Sequence, residues 1–144
     1  MDDKRFRVSE HSGDLAVEAW GAEELEALAN ASLGLVAQVV PLEAIEQREQ
    51  LPLTITEEDS ERRMIAYLNE IVYLIFTKQW LPSAVKQMKL CNSIGCNELQ
   101  VILGGEPLDP ARHELKYDIK AVTYHGFRII RETGLVKIYF VCDL

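Results

Sequence analysis

Cysteine is scarce in this chain, and the little there is makes no framework. Cys91, Cys96 and Cys142 are an odd number with no Cys-x-x-Cys pair, so the spacing spells neither a disulfide scaffold nor a paired zinc site. Free thiols in a reducing compartment are the expectation, and a zinc knuckle around Asn92-Ser93-Ile94-Gly95 would lack its second ligand pair. Long hydrophobic runs are missing as well: no segment approaches the roughly 20 apolar residues of a membrane span. Met1-Asp2-Asp3-Lys4-Arg5 leads into Phe6-Arg7-Val8 without the apolar stretch of a signal peptide. A soluble, cytoplasmic protein without membrane contact is expected. Cations are outnumbered, 15 Lys and Arg against 23 Asp and Glu, for a net charge of −8. That balance argues against strong direct nucleic-acid binding, whose affinity comes from clustered Lys and Arg displacing counterions. No repeat and no linker rich in Pro, Gly or Ser divides the 144 residues. They read as one domain, 1–144, able to bury about two-thirds of its unfolded surface without a metal or disulfide staple.

What is present is a mixture of helical and strand patterning. Phe6 to Glu10 and Leu15 to Trp20 read as strands around the turn His11-Ser12-Gly13-Asp14. From Ala22 to about Val39, Leu25, Leu28, Ala29, Leu33, Val36 and Val39 recur at helical spacing, with Glu23, Glu24 and Glu26 at the favourable end of the dipole and Pro41 as the stop. Glu43 to Thr56 carries strand-like patches broken by Pro52, the mark of an edge or bulged strand. Asp59 or Ser60 can cap a second helix to about Phe76, with Met64, Ile65, Leu68, Ile71, Val72 and Ile75 on its buried stripe. Tyr67, Tyr73, Phe76 and Trp80 form an aromatic stripe better suited to packing than to base stacking. Ser83–Leu90, Glu98–Leu103, Ile119–His125, Phe127–Thr133 and Leu135–Cys142 read as strands, the last two joined at Thr133-Gly134. Connections this short exclude helical crossovers. The expected architecture is α+β: a two-layer sandwich with a mostly antiparallel sheet packed against two amphipathic helices.

Three places can carry chemistry. The turn His11-Ser12-Gly13-Asp14 would, if it met Asp143-Leu144, bring the Asp14 and Asp143 carboxylates and a free carboxylate on Leu144 together, a hard-oxygen set for calcium or magnesium. Spacing alone favours the simpler reading, in which Asp14 closes a turn and the last residues fray. The stretch Gly104–Glu114 mixes glycines, prolines and acids with His113; it is either a contact surface built from Glu106, Asp109, His113 and the later His125, or an ordered loop. The run Lys120-Ala121-Val122-Thr123-Tyr124-His125-Gly126 puts a polar end on an apolar strand and delivers His125 to a sheet edge. Ser12 beside His11 and Cys142 beside Asp143 do not form a nucleophile elbow, which leaves acyl transfer without a motif.

Glu10-His11-Ser12-Gly13-Asp14, the Gly104 to His113 segment, Ile119-Lys120-Ala121-Val122-Thr123-Tyr124-His125 and the ending Val141-Cys142-Asp143-Leu144 together resemble the motifs of the archease family, over about Phe6 to Leu144. Ser12 stands where the family usually has Thr, and Gly13 where it has Ala; neither change removes an anionic ligand. The resemblance implies a non-enzymatic accessory protein of an RtcB-type RNA ligase, promoting ligase guanylylation and multiple turnover in tRNA splicing and RNA repair. It also implies a divalent cation, calcium foremost, held by Asp14, Asp143 and Leu144. From the residues themselves, His11, Glu106, Asp109, His113 and His125 are the candidate partner contacts. A chaperone-like role toward a tRNA methyltransferase is a secondary implication. A metal-dependent hydrolase using His11, Asp14 and His113 is the competing reading from the residues alone.

Overall fold

Alternation in the second strand decides which way the N-terminal half faces: Leu15, Val17 and Ala19 are buried, while Glu18 and Trp20 on the other face are only partly covered. The computed structural model describes residues 5–11, 13–91 and 97–144, with Glu10 and His11 described in backbone only. In chain order the elements are β1 (Phe6–His11), β2 (Asp14–Gly21), α1 (Glu24–Val39), a 3-10 turn (Leu42–Ala44), β3 (Glu49–Thr56), α2 (Ser60–Phe76), β4 (Trp80–Leu90), β5 (Glu98–Pro107), β6 (Ala121–Glu132) and β7 (Leu135–Asp143).

The α+β architecture and the antiparallel pairing are as expected, but the strands divide between two sheets. One has the order β1-β2-β7-β6 and the other β3-β5-β4. Both helices touch both sheets: α1 packs on β2, β7 and β1 and also on β4, and α2 packs on β6 and also on β4 and β3. This explains why α1 buries Ala27, Ala31 and Leu35 in addition to Leu28, Val36 and Val39, a wider stripe than one sheet would demand, while Leu25 and Leu33 are half-buried. Every residue expected on the buried stripe of α2 is buried, and Asp59 caps the helix by accepting from the Arg62 amide at 2.9 Å. Tyr67 and Trp80 join the core; Tyr73 is exposed.

Two sequence readings are corrected. Gly104 and Gly105 belong to β5 and not to a loop, both pairing with β3 and β4, and position 105 requires glycine because a Cβ there would lie 2.0 Å from the Leu81 carbonyl oxygen. Ile119–His125 and Phe127–Thr133 are not two strands but one, β6, which carries a bulge: Thr123 pairs Val141 and Arg128 pairs Tyr139, so Tyr124 to Phe127 stand opposite Phe140 alone. As expected from its internal Pro52, β3 is an edge strand. Among the described residues no helix is long and apolar enough to cross a membrane.

Candidate cation site and partner surface

Asp14 opens β2 and Asp143 closes β7, and the two are direct partners across the sheet. The register runs on in both directions, His11 pairing Asp14 and Ala121 pairing Asp143. Neighbouring Leu15, Cys142 and Val122 are buried, so Asp14 and Asp143 point to the opposite face, where Asp14 is half-buried and Asp143 exposed. Directly paired residues have Cβ atoms about 5 Å apart. Two carboxylates held there repel, and both are hard oxygen donors, so the donor set suits a calcium- or magnesium-type ion. The Asp143 carbonyl is already committed, accepting from the Lys120 amide at 2.9 Å. Leu144 is half-buried beside the core. Among the described residues no group of three or more His, Cys, Asp or Glu side chains is arranged to hold a metal. Ser12 and the side chain of His11 lie outside the described residues.

Glu106 and His113, expected at a contact surface, are instead buried, at 1% and 3% exposure. Glu106 Oε2 accepts from the Glu46 amide at 2.7 Å and from His113 Nε2 at 3.0 Å, and Oε1 accepts from Arg112 Nη2 at 2.5 Å. Burial pushes this carboxyl up, but those three hydrogen bonds and the Arg112 charge outweigh it and hold the pKa at about 2. Arg48 adds a longer ion pair to Oε1 at 3.5 Å. Asp109, half-exposed, folds its own turn: its carbonyl accepts from the Arg112 and His113 amides and its Oδ1 from the Ala111 amide at 3.0 Å. Both His113 nitrogens are therefore engaged, which leaves it unfit to serve a hydrolase as a free base. The cluster pins the segment after β5 to the 3-10 turn. Beside it a cleft of about 640 Å³ opens between the end of α1 and Arg112, Glu114 and Lys116.

His125 sits on the β6 bulge, and no hydrogen bond among those described joins it to His113. Thr123 Oγ1 donates to the His125 carbonyl at 3.2 Å, and Gly126, at φ +78°, supplies the left-handed turn that side-chain-bearing residues resist. Tyr124 is thrown outward, 63% exposed, over a groove lined by Glu57, Asp59, Glu61 and Arg62. Beneath the bulge, Asn69 of α2 reads the edge of β6: its Oδ1 accepts from the Val122 amide at 2.8 Å and its Nδ2 donates to the Val122 carbonyl at 3.0 Å. The expectation of three free thiols also needs correction. Cys91 is disulfide-bonded, with its partner outside the described residues, whereas Cys142 is a free buried thiol pushed up to about 12 by burial and the adjacent Asp143 charge.

The sequence profile of the Archease protein family matches residues 6–144. The chain belongs to the archease family. Protein archease of Thermococcus gammatolerans is 30% identical over 98% of this chain and 99% of its own, and that of Aeropyrum pernix is 28% identical over 94% of each. The solution structure of Methanobacterium thermoautotrophicum protein 1598 superposes with a TM-score of 0.81 at 26% identity, covering 98% of this chain and 99% of that one. The Thermotoga maritima archease, described as a possible chaperone, shares the fold at a TM-score of 0.60 and 23% identity over 94% of each chain.

Sequence reasoning about this archease missed Arg112, Arg48 and the Glu46 amide as partners of Glu106, and it missed Asn69 altogether. A Glu flanked by Gly105 and Pro107 inside an apolar strand was the one signal available, since a carboxylate on a strand under a loop must find donors. Asn69, between Leu68 and Glu70 on a helix, reads simply as a solvated residue.

Proposed function

We propose that this archease is a non-enzymatic activator of an RtcB-type RNA ligase, promoting ligase guanylylation and multiple turnover with a divalent cation, calcium foremost, held by Asp14, Asp143 and an oxygen at Leu144. The observation that carries this reading is the direct cross-strand pairing of Asp14 with Asp143. Like charges directly opposite on a sheet are destabilising, and a shared cation offsets the repulsion. When bound, the ion supplies positive charge and open coordination positions at an otherwise anionic sheet end. The chain's own part is positional. Asp143 is flanked by β2 on one side and by Ala121 of β6 on the other, with the Lys120 amide on its carbonyl, so its backbone is held directly beside Asp14.

The net charge of −8 suits a basic RNA-processing enzyme. The deciding experiment is guanylylation of the cognate ligase in the presence of the chain, with Asp14→Ala and Asp143→Ala compared by circular dichroism for fold. Stimulation should disappear in both variants while the fold stays. Normal stimulation by both would overturn the reading. A chaperone-like modulator of a tRNA methyltransferase is the second reading, supported by the description of the Thermotoga maritima relative as a possible chaperone. Stimulation of a methyltransferase and not of the ligase would favour it.

A further inference from the structure

The face of the β1-β2-β7-β6 sheet that carries Asp14 and Asp143 turns away from the helices, and farther along it both signs are present, Arg7, Arg128 and Lys137 with Glu18 and Glu132. Arg7 pairs Glu18, Glu18 pairs Tyr139 and Tyr139 pairs Arg128, so these four form one row across all four strands. The next row has Trp20, Lys137 and Ile130 on β2, β7 and β6, about 7 Å farther along the strands. None of these is fully buried, and Ile130 is 43% exposed. The Arg128 guanidinium lies over the Tyr139 ring with Cζ 4.7 Å from its centroid, and Arg128 is itself exposed. Arg7 is ion-paired with Glu18 at 3.0 Å, but neither Arg128 nor Lys137 makes an ion pair among the described residues. Between Arg7, Glu18, Trp20, Leu135 and Lys137 the face opens into a groove of about 290 Å³.

On this open face Arg128 and Lys137 stand beside two aromatic rings, Trp20 and Tyr139. We propose that this face binds a short single-stranded nucleic-acid segment, with bases stacked on Trp20 and on the Arg128–Tyr139 pair and phosphates on Lys137 and Arg128. A four-stranded antiparallel sheet with aromatics and arginine planes on its open side suits two or three splayed bases, since every base offers a π-face. An acidic peptide would satisfy the cations but would leave the stacking planes unused. The overall acidity keeps the binding weak and local, which is compatible with the absence of strong nucleic-acid affinity expected from composition. The proposal rests on these residues alone and not on the ligase reading.

The test is fluorescence anisotropy of a short labelled oligouridylate and the matching oligodeoxythymidylate with the full chain, in chelator so that no cation at Asp14 and Asp143 contributes. Weak binding is expected, with log K falling against log salt at a slope of about −1.4 for two phosphate contacts on a single strand. Arg128→Ala and Lys137→Ala should each flatten that slope by about 0.7. Trp20→Leu should weaken binding roughly tenfold. Lys89→Ala, on the other sheet, should change nothing, and duplex competitor should not displace the single strand. No binding at low salt, or binding unaffected in folded Arg128→Ala/Lys137→Ala protein, overturns the proposal. So does sedimentation showing that the chain self-associates through this face and that the same double variant abolishes the association. RNA binding above DNA would add 2′-hydroxyl recognition, and equal binding would restrict recognition to stacking and phosphate contact; both support the site.

Discussion

Asp109 donates its backbone N–H to Nδ1 of His113 at 2.9 Å, and that bond settles which nitrogen of the imidazole carries the proton. With Nδ1 an acceptor, Nε2 is the donor, aimed at Glu106 Oε2 at 3.0 Å and secondarily at the Ala44 carbonyl at 3.2 Å. A four-residue turn thus orients a buried histidine that in turn orients a buried carboxylate, and that carboxylate fixes Glu46 from the other side of the sequence.

Glu106 should dominate the acid limb of stability. Its pKa of about 2 lies below the ordinary 4.5, so the unfolded chain binds the extra proton between those values. The stabilisation is complete above about pH 4.5 and is lost as pH falls toward about 2. Thermal melts from neutral to acid pH should show the decline in that window in the wild type and a shallower one in Glu106→Gln. Glu106→Ala, which leaves the Nε2–H of the buried His113 without its carboxylate and releases the exposed Arg112, should cost about 1–3 kcal/mol at neutral pH. A melting temperature unchanged in Glu106→Ala would show that the network does not hold the loop.

Asn69 does the work of a missing strand. Its amide satisfies both backbone groups of Val122 on the outer edge of β6, so Asn69→Leu leaves an N–H and a C=O with no partner at a buried position. A loss of about 1–3 kcal/mol per stranded group is expected. Amide exchange at Val122 should accelerate well beyond that at Ile138 in β7. Equal protection of Val122 in the two proteins would mean that another group covers the edge.

Tyr67 sets the alkaline limb. Its hydroxyl donates to Ser32 Oγ at 2.9 Å, and Ser32 passes its own proton to the Ala29 carbonyl at 2.7 Å. Burial raises the phenol well above 10, outweighing the hydrogen bond to Ser32. Because the folded pKa is raised, stability is whole below about pH 10 and declines above it as the unfolded chain ionises. Phenolate absorbance of Tyr67, taken as the difference between wild type and Tyr67→Phe, should appear only together with loss of the circular dichroism signal. Ionisation ahead of unfolding would contradict this coupling.

How far all this was legible depends on the range of the interaction. The stripe of α2, the Asp59 cap and the alternation of β2 and β7 are local, and local physics reads them correctly. Alternation says which face of a strand is buried but not which sheet receives it, so one expected sheet became two. The β6 bulge looked like a strand break because Gly126 is equally at home in a turn. Glu106 meets an amide 60 residues away, and no periodicity encodes that. The pairing of Asp14 with Asp143 was visible only as a possibility of two motifs meeting, and the fold realises it through the antiparallel register of β2 with β7.

That register makes a prediction independent of any partner enzyme. In chelator, the paired carboxylates repel, so Asp14→Asn should stabilise the chain slightly, by about 0.5 kcal/mol, since like charges directly opposite cost energy in a sheet. Calcium should raise the melting temperature of the wild type, because a ligand that binds only the folded state contributes about 2.7 kcal/mol at a hundred times its dissociation constant. The same addition should leave Asp14→Asn and Asp143→Asn nearly unmoved. The order of stabilities would therefore invert on adding the ion, the variant being the more stable protein without it and the wild type with it. Differential scanning calorimetry on the three proteins reads this directly, and a calcium-induced rise equal in all three would place the cation somewhere other than between Asp14 and Asp143.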